Sequence, residues 1–466
     1  MSKKKEVFKP IRKGKVSMYV CGPTVYGLIH IGNARTFLTF DVLYRYLKYK
    51  GFAVKYVQNI TDVGHLTDVG EDKIMVGAKK KNMNVFDFVN LMIEEYLKDL
   101  KSLNIEKPTF LPRASEHIQD IIDVVKKLIE NGYAYESNGF VYYDISKFKN
   151  YGKLSGQNPE ELQKKVEEEH GSRKNKGDFA LWIPSPEDYP MKWESPWSIG
   201  FPGWHIECST MSSKYLGIPF DIHGGGKDLI FPHHEDEIAQ AEGATGKKFV
   251  NYWLHSEFIK INKKKMSKSL GNIISARDAV KKYGWRTIRY FLISSHYRKE
   301  VNFTEGEIEN SQKAVDKLMD FVDRLKEIIP DSDYNSDFDK RIRILKKEFE
   351  DYMDDDLNVP QALSTTFKIV NETNKAIDEK TVSKKNLEDV LKLIKELDKV
   401  LGLKLDEKKQ SEISDEAKKL IEERENLRKQ KEFERADQIR NELEEKYGII
   451  LEDSPNGPRI KLKDKV

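Results

Sequence analysis

The stretch from Val16 to Val57 limits the folds open to this chain more than any other. Val16 to Val20 is a short apolar run suited to a buried strand, and Cys21-Gly22-Pro23-Thr24 has the composition of a turn. Asn33 to Lys50 then carries apolar residues at helical spacing, and Ala53 to Val57 is a second strand-like run. Strand, turn, helix and strand in this order form the parallel βαβ unit of α/β proteins, whose ligands sit at the carboxyl ends of the strands. Cys21 to His30 therefore lies where a nucleotide site is expected.

The rest of the chain divides by changes of pattern. From about Pro108 to Gly200 an amphipathic helix (Ile118, Ile121, Ile122, Val125, Leu128, Ile129), the β-like Phe140 to Tyr143 and an irregular stretch with Trp182, Trp193 and Trp197 read as an insertion. Phe220 to His223 followed by Gly224-Gly225-Gly226 reads as strand then loop, and Pro232 to Glu242 as a helix that resumes the first fold. After Glu305 strand signals give way to long amphipathic helices, as in Ala314, Leu318, Phe321, Val322, Leu325 and Ile328. Lys404 to Ser414 is polar enough for a linker, Asp415 to Glu445 is a last helical unit, and Gly448 to Leu451 is strand-like.

With 38% hydrophobic residues, 28 Gly and 16 Pro in 466 residues, the chain is globular rather than collagenous or low-complexity. Its 80 Lys plus Arg nearly balance 77 Asp plus Glu, so any nucleic-acid surface must be a local patch. No apolar run approaches the ~18 residues of a membrane span, and Met1-Ser2-Lys3-Lys4-Lys5 leads into no secretory core, so the expected compartment is the cytoplasm. Only two cysteines occur, Cys21 and Cys208, too few for a disulfide framework.

Two segments carry most of the chemistry. His30-Ile31-Gly32-Asn33 offers an imidazole and a glycine that lets a nucleotide approach, beside a helix N-terminus that favours phosphate. Lys265-Met266-Ser267-Lys268-Ser269 supplies two ammonium groups and two hydroxyls to neutralise a phosphorus transition state. Together they describe adenylyl transfer from ATP. Taken singly, His30 can instead cap or pack, and the lysines can be a solvated charge run.

A third set suits a metal. On a helix, His233 and Glu237 share a face, and with Cys21 and Cys208 they make a Cys2HisGlu set suited to zinc. His234 is a rival ligand about one hundred degrees round the helix, and two cysteines merely buried in apolar surroundings is the alternative.

Taken together, the first two segments resemble the signature motifs of class I aminoacyl-tRNA synthetases, with Asn33 where the first motif usually ends in His. Tyr19 to Tyr26, Gln58-Asn59-Ile60-Thr61-Asp62, Gly203-Trp204-His205-Ile206-Glu207-Cys208, Asp221 to Gly226 and the His233 region resemble the cysteinyl-tRNA synthetases, from about Tyr19 to the C-terminus. The resemblance implies a Rossmann-like α/β catalytic domain with an insertion, then a helical bundle and a small C-terminal anticodon-binding domain. The corresponding divisions are 1–110 and 201–260 for the catalytic halves and 111–200 for the insertion. They continue with 261–304 for the signature-loop and stem-contact region, 305–404 for the bundle and 405–466 for the last domain.

The resemblance also implies one zinc per chain on Cys21, Cys208, His233 and Glu237, binding the thiolate of cysteine. Gly22, Thr24, Thr61, Trp204 and His223 are implied as the wall of the amino-acid pocket, with Asp228 near the α-amino group. His30, Gly32, Asn33, Lys265 and Lys268 are assigned to ATP, which brings Mg2+. Read without the resemblance, Trp204 can be a core aromatic, His223 can bond a backbone carbonyl and Asp228 can cap a helix. A thiol with a pKa near ~8.5 becomes a metal-bound thiolate far more readily than a hydroxyl does, so serine is excluded and no editing domain is needed. The partners implied are cysteine, ATP and tRNA(Cys), with a monomer expected.

In the last unit Arg424 and Arg428 suit phosphate contacts, and Asp437 and Asp453 suit base amino groups, although a charge-laced solvated helix accounts for many of its basic residues. Arg459-Ile460 stands where many relatives carry a stacking Trp. Val63 to Lys73 is longer than the family's compact Asp-rich version and reads as a surface loop in which His65 has no assigned role. Two other activities fit parts of the pattern. A ligase joining cysteine to an amino-sugar would not need the last fifty or so residues, and a non-catalytic tRNA-binding relative would not need the intact motifs.

Overall fold

The computed structural model describes residues 5–65, 72–158, 173–175, 177–266, 270–407, 415–430, 432–447, 449–452 and 458–462. The chain forms two compact units, Met1–Asp406 and Glu407–Val466.

The first unit is built on the βαβ element read from sequence: β1 (Lys15–Val20), α1 (Ile31–Tyr49) and β2 (Ala53–Gln58). An antiparallel sheet of β3 (Ala134–Ser137), β4 (Phe140–Tyr143), β5 (Phe179–Pro184) and β6 (Gly200–Pro202) forms the core of the insertion. The main sheet resumes with β7 (Phe220–Gly226) and β8 (Val250–Ser256), giving the all-parallel order β2-β1-β7-β8. Register runs Met18 opposite Ile222 and Val20 opposite Gly224, so the ends of β1 and β7 lie side by side.

Gly224 to Gly226, expected as a loop, are the last residues of β7 and stay paired with β8 as far as Gly226 opposite Ser256. Glycine is read as a breaker in a single sequence, but packing across the sheet requires it here. A Cβ on Gly224 would lie 2.1 Å from Cζ of Phe40 on α1.

Helix α1 is held mainly by its buried face. Phe37, Leu38 and Phe40 are all almost fully buried, each worth ~1.5–3 kcal/mol against ~0.5–1.5 for a capping hydrogen bond. Its buried Asp41 pairs with Arg289 (Oδ2 to Nη2, 2.5 Å). Arg289 also donates to the carbonyls of Leu103, Asn104 and Leu401, and so is satisfied without water.

A small sheet of β9 (Ile259–Ile261), β10 (Lys264–Lys265) and β11 (Val301–Phe303) carries the Lys-rich segment. The β9–β10 turn places Asn262 and Lys263 at positive φ (47° and 65°), a hairpin conformation. Helices Glu305–Glu327, Ser336–Asp354, Val359–Asp378 and Lys384–Leu401 follow. Their apolar faces continue the core of α1, from Phe37 through Phe291 to Phe338 and Leu397. The expected linker from Lys404 is packed through Asp406: Leu403 and Leu405 donate backbone N–H groups to Asp398, and Asp406 pairs with Lys326 and Lys395.

In the second unit the expected helical segment is two helices, Asp415–Lys429 and Phe433–Tyr447. They pack with the hairpin of β12 (Ile449–Glu452) and β13 (Arg459–Leu462) around Ala417, Ile421, Leu443, Ile449 and Leu451. No helix among the described residues is long and apolar enough to cross a membrane.

Candidate active site and metal centre

The site lies at the carboxyl ends of β1 and β7. Cys21 leaves β1 with its N–H on the carbonyl of Gly224, 3.0 Å away. The next residue must be glycine, because a Cβ on Gly22 would lie 1.7 Å from the carbonyl oxygen of Asn59, whose side chain accepts the Gly22 N–H at 2.8 Å. The second thiol comes from helix Trp204–Leu216, and the histidine and carboxylate from helix His233–Thr245.

Cys21, Cys208, His233 and Glu237 are all buried, and one ligand atom from each lies within 4.8 Å of the others. The two sulfurs are 3.9 Å apart, Cys21 Sγ is 3.5 Å from Glu237 Oε1, and His233 Nε2 is 3.0 Å from the same oxygen. A tetrahedral zinc with Zn–S bonds of ~2.3 Å has an S···S edge of ~3.8 Å, so the cage fits that ion. His234, on another side of the helix, still reaches Cys21 (Nε2 to Sγ, 3.3 Å) and forms a second quartet with Cys21, His223 and Glu237.

Protonation of the cage side chains follows from their contacts with one another. Burial would raise Glu237, yet His223 and His233 hold it down to about 2. Burial would lower His233, yet Glu237 and Cys208 carry it to about 10. Burial and the neighbouring Cys208 and Glu237 push Cys21 well above an ordinary thiol. Cys208 is lowered to about 6, because the Cys21 thiol and His233 outweigh burial and Glu237. The cage thus stores protons on Cys21 and His233 that a metal must displace.

A layer of histidines and acids, only partly visible in the sequence, orients these ligands. Glu237 Oε2 accepts from His223 Nε2 at 2.6 Å, and His223 stacks on Trp253. His233 Nδ1 meets His205 Nδ1 at 2.8 Å, and His205 Nε2 lies 3.5 Å from Asp236. Asp236 in turn accepts from Tyr151 of the insertion, while Glu235 accepts the N–H groups of Leu154 and Ser155. The signal for this layer was present in Gly203 to Cys208 and Phe231 to Glu237, but nothing in sequence order showed that Tyr151 closes it. Metal-ligating histidines are commonly held through their second ring nitrogen in this way.

The two signature segments meet. Ile31 donates its N–H to Ile274, Ala276 donates to Ile29, and His30 bridges Ser275, so the first motif is bonded to the segment Ile274 to Ala276, a few residues past the Lys-rich run. A Cβ on Gly32 would lie 3.0 Å from Met266 Cε. His30 also caps α1: its Nδ1 accepts from Asn33 N–H, and Asn33 Oδ1 accepts from His30 N–H, both at 3.2 Å. The ring proton is thereby placed on Nε2 when the imidazole is neutral. Lys265 is exposed on β10, whereas Lys268 lies outside the described residues.

Of the expected pocket wall, Gly22, Thr24 and Trp204 are partly exposed, and Asp228 is exposed in the short 3-10 helix Lys227–Ile230. Thr61 and His223 sit deeper. Thr61 donates to Glu207 (2.8 Å) and accepts from Asn59 (3.1 Å), so its hydroxyl is committed within the protein. His223 is fully buried against Glu237. The expectation of a surface loop at Val63 fails at its start: Val63 and Gly64 are buried, and His65 turns inward to stack on Trp204 at 4.2 Å.

In the second unit Arg424 is a correction. It lies on the inward face with Ala417 and Ile421, its side chain is fully buried, and it pairs with Glu425, so it presents nothing to RNA. Arg428 is half-buried and Asp437 exposed, while Asp453 lies outside the described residues.

The parallel sheet and the juxtaposed motifs agree with comparisons to known proteins. Residues 7–313 match the family model of the class I tRNA synthetase (C) catalytic domain, and residues 348–406 match the DALR domain. The fold is shared with a methionyl-tRNA synthetase of Mycobacterium tuberculosis in complex with methionyl-adenylate. That pair has a TM-score of 0.61 at 13% identity, covering 84% of this chain and 90% of the other. A leucyl-tRNA synthetase of Agrobacterium radiobacter gives 0.62 at 11% identity over 85% of each chain. The cysteine–tRNA ligase of Thermococcus onnurineus is 44% identical over 469 residues, covering 98% of this chain and 97% of the relative. The chain belongs to the cysteine–tRNA ligases of class I.

Proposed function

We propose that the enzyme activates cysteine with ATP to cysteinyl-adenylate and transfers it to the 3′ end of tRNA(Cys), with zinc at Cys21, Cys208, His233 and Glu237 selecting the thiolate. The observation that carries this reading is the buried Cys2HisGlu cage at the strand ends, adjoining Trp204 and the turn from Gly22 to Thr24. When bound there, zinc supplies a soft acceptor for a thiolate that a hydroxyl cannot satisfy.

The chain's own residues do the rest by positioning and electrostatics. Trp204 stacks on His233 at 4.4 Å and walls the pocket beside Gly22 and Thr24. Asp228 at the rim suits the α-ammonium. Thr61 and His223 act from beneath, through Glu207 and Glu237. ATP with Mg2+ lies over Gly32 and Asn33 at the start of α1, beside His30, where the helix dipole favours phosphate. Lys265 and Lys268 neutralise charge as pyrophosphate leaves. Arg428, Asp437 and Asp453 are the remaining candidates for RNA contact. Residues 1–110 with 201–260 act as the catalytic fold, and 111–200 as its insertion. Residues 261–304 serve as the stem-contact region, 305–404 as a bundle and 405–466 as the anticodon-binding part. We assign the enzyme to the cytoplasm as a monomer.

The test is ATP-dependent charging of unfractionated tRNA with labelled cysteine, beside labelled serine, with zinc measured on the same sample. Charging with cysteine alone, at about one zinc per chain, supports the reading. Cysteine-dependent ATP–pyrophosphate exchange without charging points instead to a small-molecule ligase. Loss of both activities removes the proposal.

A further inference from the structure

His65 belongs to none of the signature segments, yet it touches two residues of the proposed amino-acid pocket, Trp204 and Thr24. Its ring stacks on Trp204 (4.2 Å between centroids, 19° between planes), and Trp204 stacks in turn on His233 (4.4 Å, 29°). Its edge makes two hydrogen bonds, Nδ1 to Thr24 Oγ1 at 2.5 Å and Nε2 to Lys73 Nζ at 2.7 Å. Lys73 opens the helix Lys73–Lys80, whose N-cap Asp72 accepts the N–H groups of Ile74 and Met75 and is held by the Tyr189 hydroxyl. The ammonium that faces His65 is therefore set on an anchored helix start.

This arrangement has a fixed polarity. A lysine ammonium only donates, so Nε2 of His65 must accept. Burial, and after it the positive charge of Lys73, lowers His65 well below an ordinary imidazole, so the ring is neutral and carries its one proton on Nδ1. That proton goes to Thr24 Oγ1. Thr24 makes no other side-chain hydrogen bond among the described residues, and its own proton must point to a further acceptor. Of the two charged backbone groups of an amino acid, the α-ammonium only donates and the carboxylate only accepts.

We infer that His65 is a positioning and specificity residue of the amino-acid pocket, which polarises the Thr24 hydroxyl so that it donates to the carboxylate of the bound amino acid. The inference rests on the reading of this pocket as the cysteine site. Lys73 sets the sense of the relay, and the ring's stack on Trp204 fixes its direction.

The test uses the full-length, zinc-loaded enzyme in cysteine-dependent ATP–pyrophosphate exchange. His65→Phe keeps the stack and loses both hydrogen bonds, whereas His65→Asn retains a donor at the Nδ1 position. His65→Phe is expected to raise the KM for cysteine about three- to tenfold, the value of one neutral hydrogen bond, with the KM for ATP and the zinc content unchanged. His65→Asn should recover most of that loss, and Lys73→Met should share it. Cysteamine, which has the thiol and amine but no carboxylate, should inhibit wild type and His65→Phe equally. An unchanged cysteine KM in His65→Phe, or a loss shared by cysteamine, overturns the inference while leaving the cysteine site standing. Absence of exchange in the wild type removes the underlying reading and the inference with it.

Discussion

At the scale of single residues, the buried Cys2HisGlu cage, proposed to hold zinc, sets which changes are tolerated. Cys208→Ser replaces a thiolate with a hydroxyl that zinc binds poorly, so zinc and cysteine activation should be lost together. A variant that activates cysteine normally without metal would remove zinc from selection. The proton inventory also has a sign. Cys21 is raised and His233 stands at about 10, so both are protonated near neutrality and both must lose a proton to bind metal. Zinc affinity should therefore increase with pH across the neutral range, with proton release that calorimetry in buffers of different ionisation enthalpy can count. An affinity flat from pH 6 to pH 8, on the order of one log unit or less, would contradict these protonation states. Lys268→Ala should slow activation with little effect on cysteine affinity, and an unchanged single-turnover rate would exclude that lysine from the chemistry.

At the scale of elements, the close approach of α1 to β7 sets a steric limit. Gly224→Ala forces a methyl to within 2.1 Å of the Phe40 ring and 2.9 Å of the Leu254 carbonyl, neither of which can swing aside freely. A loss of ~1–3 kcal/mol is expected, read as a lower melting temperature, and a neutral result would mean the sheet can open without cost. This is also where reading by sequence failed. A run of three glycines signals a loop locally, and the ring that demands small residues lies far away in the chain. The β1–α1–β2 unit, by contrast, was legible because apolar periodicity and turn residues act over short range. The four cage residues were legible as a chemical set, but their orienting partners were not. Tyr151 meets Asp236 only through tertiary packing, and Arg424 looked available because its charge is visible in sequence while its inward face is not.

At the scale of the whole molecule, the two compact units predict a separation of activities. Every residue assigned to cysteine and ATP lies within Met1–Asp406, whose core runs on from the catalytic sheet into the helices beyond Glu305. A chain ending after Glu407 should fold and retain cysteine-dependent ATP–pyrophosphate exchange, while charging of tRNA falls sharply. Loss of exchange in a well-folded truncation would show that the last unit supports the first.

The confinement of both cysteines to one buried cage makes sulfur chemistry a report on a single place. A thiol-reactive chromophore has no other target anywhere in the chain. Colour developed before and after chelation would count competent centres in a preparation directly, with neither an engineered label nor a background to subtract.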